Sequence, residues 1–218
     1  MQLNKYIDHT ILKAVATPLD IKNLCIEAKA HEFYAVCVNG SYVGLAVSML
    51  KDSAVKVAAV VGFPLGAMST EAKIAEALDC LENGADEIDM VINIGLLKAE
   101  HYKAVEDEIS EIKTAIGDKV LKVIIETCYL NEEEKRAACT AVMKAGAEYV
   151  KTSTGFGPSG ATLEDVRLMK DVVGDKVKIK ASGGIKDRKA ALEYIELGVS
   201  RIGTSAGIEI VTEKEEDQ

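Results

Sequence analysis

Eight short apolar runs, each followed by a helical or turn segment, predict an α/β protein folded as a single-domain (β/α)8 TIM barrel. The phrase of amphipathic run, glycine and short apolar run recurs along the chain, and a second phrase, Gly-Asp-Lys-Val, stands before two of the apolar runs. Charged residues fall at the ends of several runs, where a parallel barrel gathers its chemistry. The 218 residues are fewer than the roughly 250 usual for such a fold, so tight connections without long insertions are expected. A doubly wound open sheet is the alternative architecture. It would more often show a glycine-rich nucleotide loop after its first strand, and none is visible.

The first three strands are expected at Ile7 to Thr10, Ala35 to Val38 and Val55 to Val61. Ala77-Leu78-Asp79-Cys80-Leu81-Glu82-Asn83-Gly84 then leads into Ala85 to Val91, and Gly117-Asp118-Lys119-Val120 precedes Leu121 to Glu126. Ala141-Val142-Met143-Lys144-Ala145-Gly146 leads into Ala147 to Lys151. Gly174-Asp175-Lys176-Val177 precedes Lys178 to Lys180, and Leu192-Glu193-Tyr194-Ile195-Glu196-Leu197-Gly198 leads into Val199 to Gly203. Gly84, Gly146 and Gly198 fit the left-handed position just past a helix. The barrel is expected to occupy residues 1–210, with 211–218 an acidic, flexible tail to which no function is assigned.

With 48% apolar and 28% charged residues, the chain holds enough apolar material for one sizeable core. A net charge of -9 argues against nucleic acid or an anionic membrane as partner and favours small molecules. Five cysteines without a C-x-x-C pair read as reduced, mostly packed thiols, Cys37 and Cys128 among them. The start, Met1-Gln2-Leu3-Asn4-Lys5, lacks a signal-peptide stretch, and no run approaches the ~20 apolar residues of a membrane span. A soluble, cytoplasmic protein is expected.

Lys151 and Lys180 each end an apolar run before a turn, in Tyr149-Val150-Lys151-Thr152-Ser153-Thr154-Gly155-Phe156-Gly157 and Lys178-Ile179-Lys180-Ala181-Ser182-Gly183-Gly184. A lysine closing a buried strand is costly unless chemistry uses it, and both burial and a second ammonium disfavour its charged form. Lys151 is read as a nucleophile toward a carbonyl. Lys180 is the neighbour that lowers its pKa and shuttles protons, and Asp89, ending its own run, serves the proton steps. A lone strand-end lysine is usually just solvated; the matching positions of Lys180 and Asp89 favour catalysis. Alternation pairs Lys178 with Lys180, Glu87 with Asp89, and Lys122 with Glu126, so a buried network of acids and lysines is expected. Glu87, Lys122 and Lys178 are structural ion partners or catalysts.

His9, His31 and His101 are widely spaced and form no H-x-x-x-H pair, so neither metal nor other cofactor is expected. Asp8 and Thr10, flanking His9, are candidates for a substrate hydroxyl. Ser182-Gly183-Gly184-Ile185-Lys186-Asp187 and Gly203-Thr204-Ser205-Ala206-Gly207 are small-residue turns that can aim backbone N–H groups at a phosphate, with Lys186 adding charge. Tight turning alone also accounts for such glycines.

Ile7-Asp8-His9-Thr10, Val36-Cys37-Val38-Asn39, Gly62-Phe63-Pro64-Leu65-Gly66, Asp86-Glu87-Ile88-Asp89-Met90-Val91, Lys122-Val123-Ile124-Ile125-Glu126-Thr127, Val150-Lys151-Thr152-Ser153-Thr154-Gly155-Phe156 and Lys180-Ala181-Ser182-Gly183-Gly184-Ile185 stand in one order along the chain. Together, from Asp8 to Ser205, they resemble the deoxyribose-phosphate aldolase family. The resemblance implies a class I, metal-independent aldolase that reversibly cleaves 2-deoxy-D-ribose 5-phosphate to D-glyceraldehyde 3-phosphate and acetaldehyde in deoxyribonucleotide catabolism. It makes Lys151 the Schiff-base lysine, Asp89 a proton donor or acceptor, and Lys180 the second lysine. It maps the phosphate to Gly155, Gly183, Gly184, Gly203 and Ser205, and the sugar to Asp8 and Thr152. It further implies a cytoplasmic homo-oligomer, dimer or tetramer, whose partners are a small phosphorylated sugar and an aldehyde. The chain departs from the family pattern in Ala14 and Gly40, where proline is frequent, in Phe156, where some members carry lysine, and in a tail without tyrosine.

Competing functions are another phosphosugar barrel enzyme, transaldolase-like or an epimerase, and a silent phosphosugar-binding barrel. Lys151, Lys180 and Asp89 argue against the last, since binding alone does not require them.

Overall fold

Short polar side chains accept hydrogen bonds from the first turns of most of the longer helices, and so fix where each helix leaves its loop. In the computed structural model, which describes residues 1–213, Thr17 and Asp20 form a reciprocal capping box, as do Asn131 and Glu134, while Ser69, Thr162 and Asp187 cap by side chain alone. The order is β1 (Ile7–Thr10), α1 (Pro18–Ala30), β2 (Ala35–Asn39), α2 (Val43–Leu50), β3 (Lys56–Val61), α3 (Thr70–Glu82), β4 (Glu87–Val91), α4 (Ile94–Lys98) and α5 (Tyr102–Ile116). Then follow β5 (Val120–Ile124), α6 (Glu132–Lys144), β6 (Tyr149–Lys151), α7 (Leu163–Val173), β7 (Lys178–Ser182), α8 (Arg188–Glu196), β8 (Arg201–Thr204) and α9 (Gly207–Thr212). The last helix carries Val211 and Thr212 past the expected boundary at 210, and 214–218 of the expected tail lie outside the described residues.

All eight strands pair in parallel with their sequence neighbours, and β1 closes on β8, so the sheet is a barrel and the open-sheet alternative is excluded. Gly84, Gly146 and Gly198 adopt φ of 99°, 78° and 91°, the left-handed turn that ends a helix and lets the next strand begin.

Outward strand residues such as Val36, Ile88, Val123, Val150, Ile179 and Ile202 pack under the helices, and this ring is the main core. Each such side chain contributes ~1.5–3 kcal/mol on burial. The barrel interior divides in two. Leu12, Cys37, Ala58 and Val60 form a small apolar cluster on the β2–β3 side. The remaining strands turn charges inward.

Two expectations about alternation are corrected. Lys178 starts β7 at the lower rim, where its ammonium emerges into solvent 5.6 Å from the centroid of the Tyr149 ring, rather than joining a buried layer. Strand β5 ends at Ile124, and Glu126 has φ of 52°, which breaks the two-residue period. Its buried carboxylate leaves the Lys122 layer and accepts from the Thr154 N–H at 3.1 Å and from the Thr154 hydroxyl. No helix among the described residues is long and apolar enough to cross a membrane.

Candidate active site

Parallel register sets Asp89 of β4 beside Lys122 of β5, and Lys151 of β6 beside Lys180 of β7, all facing inward. Lys151 ends its strand, whereas Asp89, Lys122 and Lys180 stand at the middle of theirs, with Lys180 followed by Ala181 and Ser182 in β7 rather than ending it. One carboxylate serves three amines. Asp89 Oδ2 accepts from Lys151 Nζ at 2.8 Å and from Lys180 Nζ at 2.7 Å, while Oδ1 accepts from Lys122 Nζ at 2.7 Å. Lys122 has a second carboxylate in Glu87 at 2.6 Å, and Lys180 has a second in Asp8. Lys151 has no second one among the described ion pairs.

The electrostatics follow from this sharing. Burial pushes the Lys151 amine below the ordinary lysine range; Asp89 opposes that shift and the Lys180 ammonium adds to it. Lys180 is buried just as deeply, yet Asp8 and Asp89 outweigh desolvation and raise its pKa. For Asp89, burial favours the neutral acid, but Lys122, Lys151 and Lys180 together hold the carboxyl well below its usual range. Asp8, between Arg201 and Lys180, likewise ends lowered to about 2 despite its burial. The Cys37 thiol, 4.0 Å from Asp89, is pushed up by burial and then by that carboxylate, so it remains a packed thiol.

Above this layer opens a cavity of about 750 Å³. Lys151, 3% exposed, forms part of its floor; Asp89 and Lys180 do not line it and lie beneath. Gly155, Gly183, Gly184, Lys186, Gly203 and Ser205 all stand in its wall. Asp8 and Thr152 do not. Asp8 is fully buried against Lys180 and Arg201, and the Thr152 hydroxyl donates to the Ser182 carbonyl at 3.2 Å while accepting from the Ser182 N–H at 3.0 Å. Their polar atoms are engaged in holding β6, β7 and Lys180. Thr10 does reach the wall, as do His9 and Glu27, whose Nε2 and Oε2 lie 2.8 Å apart. Phe156 closes another side, edge-on to Phe63 at 5.3 Å.

The glycine turns owe their shape to close approach. The loop after β6 crosses the turn after β7 so tightly that a Cβ on Gly160 would sit 2.1 Å from the Gly183 carbonyl oxygen, while the Ala161 N–H donates to both the Ser182 and Gly183 carbonyls at 3.1 Å. Gly203 makes room for two β7 side chains instead: a Cβ there would lie 3.0 Å from Ser182 Cβ and 3.2 Å from Lys180 Cε. Gly160→Ala is expected to lower stability by ~1–3 kcal/mol, the usual cost of overpacking, and to displace the Gly183 turn. Thermal unfolding checks this, and an unchanged Tm would show that the crossing has slack.

Arg201 was missed by sequence reasoning. Its Nε donates to Asp8 at 2.6 Å, its guanidinium pairs with Glu87 at 2.9 Å, and its other face stacks 3.6 Å above the Tyr34 ring. The available signal was parity, since Arg201 shares its strand face with Gly203 two residues on.

A family model described as DeoC/LacD family aldolase matches residues 3–210. A deoxyribose-phosphate aldolase of Finegoldia magna is 58% identical over 211 residues, covering 97% of this chain and 99% of that one. One of Brevibacillus brevis is 53% identical over 212 residues, covering 97% and 96%. The tetrameric structure of deoxyribose phosphate aldolase from Aeropyrum pernix superposes with a TM-score of 0.89 at 32% identity, covering 96% of this chain and 89% of that one.

Proposed function

The chain belongs to the DeoC/LacD family of aldolases, and from that premise we propose that it is a deoxyribose-phosphate aldolase working through a Schiff base on Lys151. The observation that carries the reading is the position of Lys151. Among the lysines grouped around Asp89 it alone borders the cavity, and it alone lacks a carboxylate of its own.

An amine attacks a carbonyl only when neutral. Lys151 would add to the C1 aldehyde of open-chain 2-deoxy-D-ribose 5-phosphate, and loss of water would give an iminium. That iminium draws the electron pair of the C2–C3 bond as the C3 hydroxyl loses its proton. D-glyceraldehyde 3-phosphate leaves, and the remaining enamine is protonated at C2 and hydrolysed to acetaldehyde. Asp89, within hydrogen-bond reach of both nitrogens, carries protons between Lys151 and the Lys180 ammonium. Gly155, Gly183, Gly184, Gly203, Ser205 and Lys186 are the proposed phosphate cradle; their common wall, one side of the same cavity, supports this. A sugar phosphate rather than a macromolecule is the substrate that a cavity of about 750 Å³ accommodates. A homo-oligomer in the cytoplasm completes the reading, which light scattering tests for subunit number.

Reduction with borohydride in the presence of acetaldehyde should add an ethyl group to Lys151, read by peptide mass spectrometry, and the untreated enzyme should release acetaldehyde from deoxyribose 5-phosphate. An epimerase would give no adduct, and a silent binding barrel no acetaldehyde.

A further inference from the structure

Beneath the cavity, seven buried side chains from six strands join in one ion-pair network, and six of them close a ring. Asp8 meets Arg201, Arg201 meets Glu87 at 2.9 Å, Glu87 meets Lys122 at 2.6 Å, Lys122 meets Asp89 at 2.7 Å, Asp89 meets Lys180 at 2.7 Å, and Lys180 returns to Asp8. Signs alternate around the circuit. Three carboxylates and three cations leave it neutral, with each cation between two anions and each anion between two cations. Lys151 hangs outside as a seventh member, bonded to Asp89 at 2.8 Å. Protonating Lys151, itself 3% exposed, would give this buried network an uncompensated positive charge, which is the expensive state for a buried group.

We propose that Glu87 and Arg201, two ring members that neither line the cavity nor touch Lys151, are positioning residues that keep Lys151 uncharged by fixing the ring's net charge at zero. The inference deepens the Schiff-base reading and rests on it. Asp89 from β4, Lys180 from β7 and the Cys37 thiol from β2 act on Lys151 directly. Asp8 from β1, Glu87 from β4, Lys122 from β5 and Arg201 from β8 reach it through the ring. Tyr149 precedes it by two residues on β6, β3 supplies Ala58 and Val60, and His9, Lys13, Asp20, Glu27 and Lys186 line the cavity it borders. Glu126 stands apart, its carboxylate taken by Thr154 and by the Cys128 thiol at 3.7 Å.

The two residues carry opposite charges, so their removal must act in opposite directions. Glu87→Gln keeps the shape but deletes an anion, leaving the ring positive; protonation of Lys151 becomes harder and its pKa falls. Arg201→Met deletes a cation, leaving the ring negative; Lys151 becomes the replacement counterion and its pKa rises. A merely structural role would slow both variants without moving their pH midpoints apart.

The test is the rate of borohydride-trapped imine formation with acetaldehyde as a function of pH, read on Lys151 by mass spectrometry. The acid-side midpoint should move down in Glu87→Gln and up in Arg201→Met, each by about half to one pH unit, less than the roughly one to three units of an ion in direct contact, because neither residue is paired with Lys151. It should return toward the parent value in the double variant, which restores neutrality, and stay put in Arg201→Lys, which keeps the charge. Should Arg201→Met not fold, the near-isosteric Glu87→Gln decides alone: a downward shift supports the ring, and an unmoved or raised midpoint overturns it. Midpoints moving together also overturn it. Absence of any adduct on parent Lys151 would instead defeat the Schiff-base reading, a distinct outcome.

Discussion

Lys151→Leu is expected to yield no borohydride-trapped adduct and to lower turnover of deoxyribose 5-phosphate by about 10⁴-fold or more, since the residual rate of a covalent catalyst without its nucleophile comes from binding alone. The protein should survive the change. Lys151 is outside the closed ring, so its removal leaves Asp89 between Lys122 and Lys180 with every remaining charge still paired. The variant also removes an amine that burial already disfavours as a cation. Thermal unfolding should therefore show a Tm at or above that of the parent, which separates lost chemistry from lost folding. Turnover within tenfold of the parent would remove Lys151 from the mechanism.

Lys180→Leu should give a different signature, a rate that falls at neutral pH and recovers as pH rises. Here the ring is opened. Asp8 keeps Arg201, but Asp89 is left with Lys122 and Lys151, and Lys151 inherits the role of counterion. Its ammonium form gains the attraction of a carboxylate no longer shared with Lys180 and escapes a neighbouring positive charge, so its pKa rises. A rise of about one to two units leaves up to ten- to a hundred-fold less neutral amine at pH 7, the full factor applying where the parent amine is already mostly protonated, and imine formation should slow accordingly. Above the new midpoint the amine is again neutral and trapping should approach the parent rate, although proton delivery to the enamine would remain impaired in full turnover. A rate lowered equally at every pH would show that Lys180 acts on the later proton steps alone.

These two results differ because the lysines, so alike in the chain, end in different surroundings. Each closes an apolar run and precedes a turn, and nothing local separates Tyr149-Val150-Lys151 from Lys178-Ile179-Lys180. Sequence reasoning could place both at the top of a barrel and call for an acid between them. What distinguishes them is that β7 adjoins β8, and β8 adjoins β1, so Lys180 meets Asp8 from a strand 172 residues away, while Lys151 meets no second carboxylate among the described ion pairs.

Much of the fold was legible for a plain reason: strand and helix formation depends on local periodicity, caps and glycine turns, and these recur with each βα unit. The order of motifs carried the family and with it the expected chemistry. Alternation assigned Glu87, Asp89, Lys122 and Lys180 to the interior, and failed at Lys178 and Glu126 because a period of two holds only inside a strand and says nothing about rims or a residue at positive φ. The placement of Asp8 and Thr152 below the cavity, the entry of Arg201, and the closure of six charges into a neutral ring had no counterpart in any single segment. They arise when eight strands close on themselves, because charge balance is a sum over side chains drawn from the whole length of the chain, and that sum exists only once the barrel does.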